Sequence, residues 1–426
     1  MNYSNNLQSA KQLDERDPLR KFRDEFVGTD SNLIYLNGNS LGRLPKKTKD
    51  VLKNVIENEW GDKLIRSWNE VWFNKAQKIG NKIATLIGAR SGEVLVSDST
   101  SVNLYKLILA ALKANPNKTK IVSDVFNFPS DLYIIQGIID QFPTKYKLEL
   151  ISSSDGISID FDDVKNVIDK NTALVLLSHV AFKSGFLYDM EKTTIFAHEQ
   201  GAMILWDLSH SVGAIPIDLN KCGVDFAVGC TYKYLNGGPG SPAFLYVNKD
   251  LIEKCDSPIW GWFGEKSPFE FNLNYKPSES INKFLVGTPQ VLSLSAIEPA
   301  VEILVDAGIE EIRKKNLGLS DLFVRLVKEE LDGFGFQIVS PLEKNKRGSH
   351  ISISHNEAYR ITKAMIDESI KDFSVIADFR DPDIIRFGFS ALYNSFEEIY
   401  RTVEKIKFIV AENLYANYSI ERNNVT

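Results

Sequence analysis

Asp207 and Lys233 are the two residues of this chain whose types and spacing best suit covalent chemistry. An apolar run, Ala202–Trp206, ends in Asp207, and His210 follows three residues later. A second run, Val224–Cys230, leads into Thr231-Tyr232-Lys233 and then a glycine-rich turn, Gly237-Gly238-Pro239-Gly240. Both runs read as buried strands, which puts an acid and a lysine at C-terminal strand ends, the edge where open parallel α/β sheets bind ligands. A lysine able to form a Schiff base and an acid able to hold a pyridinium nitrogen suit pyridoxal phosphate. An ordinary α/β core with an ion pair at its rim would carry the same two residues.

Other segments offer groups that such a site needs. Ser97, Ser99, Thr100 and Ser101 precede an amphipathic helix from about Val102 to Ala114, and a hydroxyl-rich helix N-terminus is an anion site as well as an ordinary cap. Phe128, held extended by Pro129, could lay its face on a flat heterocycle, and Asp131 opens the next helix. The strand TALVLLS ends at Ser178-His179, where the histidine is either catalytic or a satisfied core residue. The turn Asn37-Gly38-Asn39-Ser40 is dense in small polar residues that bring backbone close to a ligand, or simply turn the chain. Residues 48–87 read as helical, with Trp60 and Trp68 as core aromatics or as walls of an aromatic pocket. The long aromatic-rich segment after Ile259 has Trp262 and Thr288 near its ends, and irregular stretches of that length are usually functional or interfacial.

From Leu292 the texture changes to long helical periodicity. Strand-like FQIVS, SHISISH and FSVIADFR follow, then a final helix from Ser395. Arg386, between Ile384, Ile385, Phe387 and Phe389, reads as an inward arginine that grips a carboxylate ligand or makes an internal salt bridge; Arg380 competes for either role. Strands alternating with helices and then a mixed tail predict an α/β protein with a smaller C-terminal α+β lobe.

Bulk properties narrow the classes. A chain of 426 residues is too long for one ordinary core. With 50 basic and 56 acidic side chains, a net charge of -6 argues against nucleic-acid binding. No apolar run reaches the ~18 residues of a membrane helix, and no secretory h-region is visible at the start. Three cysteines without CxxC spacing, and no HExxH, predict a reducing, cytoplasmic setting and no metal.

In chain order these signals are those of a fold-type-I pyridoxal-phosphate enzyme. The wording of eight blocks resembles the kynureninase family: YLNGNSLGRLPK, STSVNL, NFPSDLY, SHVAFKSG, WDLSHSVGAIPIDL, GVDFAVGCTYKYLNGGPGSPAF, GWFG and DFRDPDIIRFGFSALYNSF. The resemblance implies a large domain with a mainly parallel sheet over residues 46–290. It further implies an N-terminal segment, 1–45, packing with a small domain, 291–426. It implies that Lys233 carries the cofactor and removes the α-proton, and that Asp207 pairs with the pyridine nitrogen. Phe128 would stack on the ring, with Thr100, Ser101 and Asp131 around the cofactor. Ser178, His210 and Tyr232 would complete its hydrogen bonds, Tyr232 also being a proton donor. Trp262 and Thr288 would reach the cofactor of a second subunit, making a homodimer. Arg386 would bind the substrate carboxylate, with Asn39 and Ser40 on the substrate side. The implied reaction is hydrolysis of L-kynurenine or 3-hydroxykynurenine, in tryptophan catabolism and NAD biosynthesis.

The sequence departs from the family at Ala181-Phe182, where bacterial members more often have Asn-Tyr, and at Thr288, where some carry asparagine. Rival readings are a cysteine desulfurase or selenocysteine lyase, an aminotransferase, and a binding protein of the same fold that has lost catalysis. The first requires a cysteine well after the lysine, whereas the last one here is Cys255.

Overall fold

The structure is a computed structural model that describes residues 6–29 and 32–422, so the outer ends of the expected segments 1–45 and 291–426 fall outside it. The lead-in forms α1 (Leu7–Glu15), a 3-10 turn at Arg20–Glu25 and β1 (Leu33–Tyr35). Then come α2 (Lys46–Asn54), α3 (Lys75–Leu86), β2 (Val94–Val96), α4 (Thr100–Ala114), β3 (Lys120–Asp124), α5 (Pro129–Gln141) and β4 (Lys147–Ile151). They are followed by α6 (Phe161–Val167), β5 (Thr172–Ser178), α7 (Met190–Glu199), β6 (Met203–Asp207), β7 (Phe226–Gly229), β8 (Phe244–Val247) and α8 (Lys249–Ile252). Two long helices, α9 (Val291–Ala307) and α10 (Ile309–Glu330), lead to β9 (Gln337–Ile338), β10 (His350–Ser354), α11 (Ala358–Ile366), β11 (Ser374–Ile376), β12 (Asp378–Arg380), β13 (Ile384–Gly388) and α12 (Phe396–Ala411).

The main sheet has the order β2-β8-β7-β6-β5-β3-β4. Its run from β7 to β4 is parallel, and β8 is antiparallel to both of its neighbours. All seven residues of β5 are buried, as expected of a strand with both faces covered by helices. A second sheet, β12-β13-β10-β9, is antiparallel, and β1 pairs with β11 in a two-stranded parallel ribbon. The apolar interior forms two large clusters. One surrounds the main sheet and takes in Leu294, Ile297, Val301 and Leu304 of α9. The other lies under the second sheet, between α10 and α12, and includes Ala10 of α1 and Ile34 of β1.

Two readings of regular structure differ from what forms. FSVIADFR is not one strand: it breaks at the buried Ala377, so that β11 joins β1 while β12 joins β13. The helical stretch 48–87 is interrupted by π-helical turns at Val55–Asp62 and Trp68–Trp72. Trp68 packs edge-on to Trp72 and against Phe263, a core role, whereas Trp60 is 56% exposed in a separate apolar groove with Trp72 and Leu292. Among the described residues no helix is long and apolar enough to cross a membrane.

The lead-in is tied to the C-terminal lobe by charge as well as apolar contact. Asp14 accepts hydrogen bonds from the backbone N–H groups of Phe396 (2.7 Å) and Glu397 (2.9 Å), satisfying two orphan donors at the start of α12. Asp14→Ala should lower the unfolding free energy by about 1–2 kcal/mol, read from urea midpoints.

His179, just past β5, is 4% exposed and edge-on to Trp206 at 5.7 Å. Burial, aided by the charge of Arg313, brings its pKa down to about 3. The folded chain therefore refuses a proton that the unfolded chain accepts near pH 6.5, and stability falls as pH drops below that value. His179→Gln should flatten the acid limb by about 1.4 kcal/mol per pH unit between about pH 6 and pH 4, measured by urea unfolding across that range.

Candidate active site

The parallel pairing of β6 with β7 determines where the two singled-out residues sit. Asp207 is the last residue of β6, opposite Val228 of β7, and Ser178 ends β5 directly beside it. Its Oδ1 accepts from the Ser209 N–H at 2.8 Å, closing the turn that carries His210. Lys233 is not at the strand end itself but in the turns that follow β7. Its Nζ lies 2.9 Å from His210 Nε2.

That lysine turn is pinned from below by the N-terminal segment. The Gly42 N–H donates to the Tyr232 carbonyl at 2.8 Å, and a Cβ on Gly42 would come within 2.4 Å of the Lys233 carbonyl oxygen. A residue with a side chain cannot occupy that position without moving the lysine. The downstream glycine turn works differently from a simple clearing of space. Gly238 and Gly240 have positive φ (92° and 71°), and a Cβ on either would meet nothing within 4 Å. There glycine is required by the backbone path, not by room for a ligand. Thr231 anchors the same turn, donating to the Pro242 carbonyl at 2.7 Å with Ser241 Oγ at 2.6 Å.

Asp207, Lys233, His210 and Tyr232 open into one cleft of about 470 Å³, with Thr100 and Ser101 from the start of α4 and Phe128 and Asp131 from the start of α5. Ser99, named with the hydroxyls before α4, lines it too, as do Ser130, Ser209, Ser241 and Gln290, which were not singled out from the sequence. Phe128 has the extended backbone that a residue before proline adopts, and its half-exposed ring stands 5.3 Å from Phe182 in an edge-to-face pair. Lys233 Nζ lies 5.8 Å from the centre of the Phe128 ring.

The electrostatics of the cleft are unbalanced. Burial, and then the Asp207 carboxylate, push the Asp131 carboxyl well above the usual range, with Lys233 opposing. Its buried Oδ2 meets no hydrogen-bond donor among the described residues. Burial keeps His210 neutral, reinforced by the charges of Lys233 and Arg386. Nε2 therefore accepts from the lysine, which leaves the ring proton on the buried Nδ1, without a partner among the described residues. The neighbouring Cys230 thiol and burial raise the Tyr232 phenol, so Tyr232 is a proton donor at neutral pH. Two buried carboxylates, an orphaned acceptor and a helix N-terminus rich in hydroxyls fit a ligand with a cationic ring nitrogen at one end and a phosphate at the other. Pyridoxal phosphate has that shape and charge.

The remaining sequence candidates lie elsewhere. The Ser178 hydroxyl donates to Asn127 Oδ1 at 2.8 Å, outside the cleft lining. Trp262 is 41% exposed and edge-on to Phe263 and Phe269, and Thr288 is exposed; neither lines the cleft. Arg386 is almost fully buried, donating to the Phe182 carbonyl (2.5 Å) and to Ser40 Oγ (3.0 Å) and forming an ion pair with Asp378. Asn39 is fully buried against Gly388, and neither atom of its amide has a partner among the described residues. His350 was missed. It lies opposite Gly388 in the small sheet, buried, with its ring 5.6 Å from that of His210. The alternation in SHISISH, polar at 350 and 352 and apolar at 351 and 353, was the available signal.

Cys255 is buried, and burial raises its thiol to about 11, so it is not the exposed low-pKa nucleophile that sulfur transfer requires.

Comparison with known proteins agrees with this geometry. Residues 312–406 match the family described as the kynureninase C-terminal domain. A kynureninase from Pseudomonas fluorescens is 41% identical over 420 residues, covering 97% of this chain and 98% of that protein. One from Burkholderia pseudomallei is 40% identical over 408 residues, 95% of each. Among solved structures, the apo cysteine desulfurase of Thermococcus onnurineus NA1 superposes with a TM-score of 0.78 at 19% identity, covering 92% of this chain and 98% of its own. A C-DES variant with glycine covalently linked to its PLP cofactor gives 0.76 at 15% identity, covering 90% and 98%. The architecture is thus the fold-type-I α/β fold expected from the sequence. With that fold and relatives of this identity along nearly their whole length, the chain belongs to the kynureninase family.

Proposed function

We propose that this protein is a pyridoxal-phosphate-dependent hydrolase. It cleaves L-kynurenine, or 3-hydroxykynurenine, to the corresponding anthranilate and L-alanine, a step of tryptophan catabolism that also feeds NAD biosynthesis. The observation that carries the reading is the meeting of Lys233, Asp207 and Phe128 in one cleft of a chain from this family. The bound cofactor supplies an electron sink for the carbon that bears the amino group.

The residues then have distinct tasks. Lys233 holds the cofactor and takes the α-proton. Asp207, with Asp131 beside it, keeps the ring nitrogen protonated, and Phe128 covers one ring face. Thr100 and Ser101, at the N-terminus of α4, hold the phosphate. His210, neutral, orients the Lys233 amine through Nε2, and Ser178 steadies Asn127 behind the ring. Water adds to the γ-carbonyl of the substrate and the Cβ–Cγ bond breaks. Both events need proton movement near neutral pH, for which Tyr232 and Lys233 are suited. Arg386, Ser40 and Asn39 receive the α-carboxylate.

We further propose a cytoplasmic homodimer in which Trp262 and Thr288 complete the partner's site. In support, both lie outside their own cleft, and Trp262 adjoins the exposed Phe269, which in turn packs on the exposed Phe271. The division into 1–45, 46–290 and 291–426 is retained as a proposal, supported by the β1–β11 pairing, although α9 at the start of 291–426 packs on the large domain.

Lys233→Ala should abolish the visible absorbance of lysine-bound pyridoxal phosphate and lower kynurenine hydrolysis by at least about 10³-fold. A wild-type protein that takes up no pyridoxal phosphate, or that acts on cysteine and not on kynurenine, overturns the reading. Arg386→Ala should lower kcat/KM for kynurenine far more than Arg380→Ala does, and the reverse order would identify Arg380 as the carboxylate ligand.

A further inference from the structure

Asp378 lies between the two arginines that compete for the substrate carboxylate. In the small sheet Asp378 and Ser352 both stand opposite Arg386, so the three share one face. The alternate residues Ile351, Ile353, Ile385 and Phe387 point the other way, into the second core cluster. Asp378 is 6% exposed. Its Oδ2 takes the Arg386 guanidinium, the Arg380 guanidinium at 2.8 Å and the Ser40 hydroxyl at 3.3 Å.

The consequence is that the terminal nitrogens of Arg386 are not free to grip a ligand. One terminal nitrogen is given to the Phe182 carbonyl, and the other is divided between Ser40 Oγ and Asp378. A carboxylate ligand grips an arginine through two parallel N–H donors; here the pair of terminal nitrogens is already engaged, while Nε has no partner among the described residues. The charge count nonetheless favours an incoming anion: two guanidiniums, Arg386 buried and Arg380 partly exposed, face one carboxylate, a surplus of one positive charge. Leaving Arg386 bare would be costly, because an unpaired buried charge keeps no compensation for its lost hydration. Exchanging one carboxylate for another on the same guanidinium avoids that cost.

We propose that Asp378 is a built-in stand-in for the substrate carboxylate. It holds Arg386 while the site is empty and yields it to the α-carboxylate of the amino acid, remaining paired with Arg380. Ser40, which touches both Arg386 and Asp378, turns its hydroxyl from one carboxylate to the other. Asp378 is then a positioning residue that sets affinity for the α-carboxylate. The inference rests on the reading that this cleft binds an α-amino acid on pyridoxal phosphate.

The test uses the holoenzyme and the visible spectrum of its cofactor, titrated with L-alanine and with ethylamine, the same amine lacking the carboxylate. Asp378→Asn, and Asp378→Ser as a second variant, should bind L-alanine about tenfold more tightly than wild type and ethylamine equally well. Arg380→Gln, which leaves Arg386 as the sole cation of Asp378, should weaken L-alanine binding and leave ethylamine unchanged. If both Asp378 variants bind L-alanine no better than wild type, Asp378 merely orients Arg386 and the proposal is overturned. An equal change for both ligands overturns it too, since the effect then does not act through the carboxylate. A wild-type protein with no cofactor band, or one that responds to neither amine, refutes the active-site reading itself, and this outcome is distinct from a failure confined to the Asp378 variants.

Discussion

Everything in the cleft depends on a lysine amine held 2.9 Å from a histidine that burial keeps neutral. The two residues come from turns after adjacent parallel strands, so their distance is a property of the β6–β7 pairing. A charged His210 would repel Lys233. A neutral one accepts its hydrogen and leaves the proton on the buried Nδ1, which has no partner among the described residues. The acids on the other side share a buried wall, and burial together with the Asp207 carboxylate raises the cost of ionising Asp131. A protonated pyridine nitrogen would supply a cation that these acids could hold.

The second constraint is the loop at residues 181–185, which joins the two sheets. Arg386 holds the Phe182 carbonyl, the Ser352 hydroxyl donates to the Lys183 carbonyl at 2.5 Å, and the Gly348 N–H donates to that of Gly185 at 2.7 Å. The ring of Phe182 stands on Phe128, the residue proposed to cover the cofactor. One polar face of the small sheet thus reaches the cleft of the large one through three backbone carbonyls. The departure from the family at Ala181-Phe182 falls in this loop, but its links to the small sheet run through main-chain atoms that any side chain leaves in place.

Strands with all-buried residues, the pre-proline Phe128, the hydroxyl-rich start of α4 and the Asp207–Lys233 spacing were legible because each is a local pattern. Other features were hidden. FSVIADFR reads as one strand by propensity, and only competition between β1 and β13 for its backbone splits it at Ala377. The π-helical turns near Trp60 and Trp68 have no periodic signature. His350 and Asp378 were overlooked because each looks ordinary within its own strand and gains meaning only from the neighbour it faces.

By itself, the sequence determined the fold class, the family, and the chain order in which Thr100, Ser101, Phe128, Asp131, Asp207, His210, Tyr232 and Lys233 reach the cleft, since apolar runs, caps and turn residues act over a few positions. Only the tertiary structure decided which of those residues meet. It set Gly42 against the lysine turn, buried His179 on Trp206, and closed Arg386 onto Asp378. The physical reason is that charge pairing and burial depend on distances across sheets and between lobes, which neither spacing along the chain nor residue type encodes.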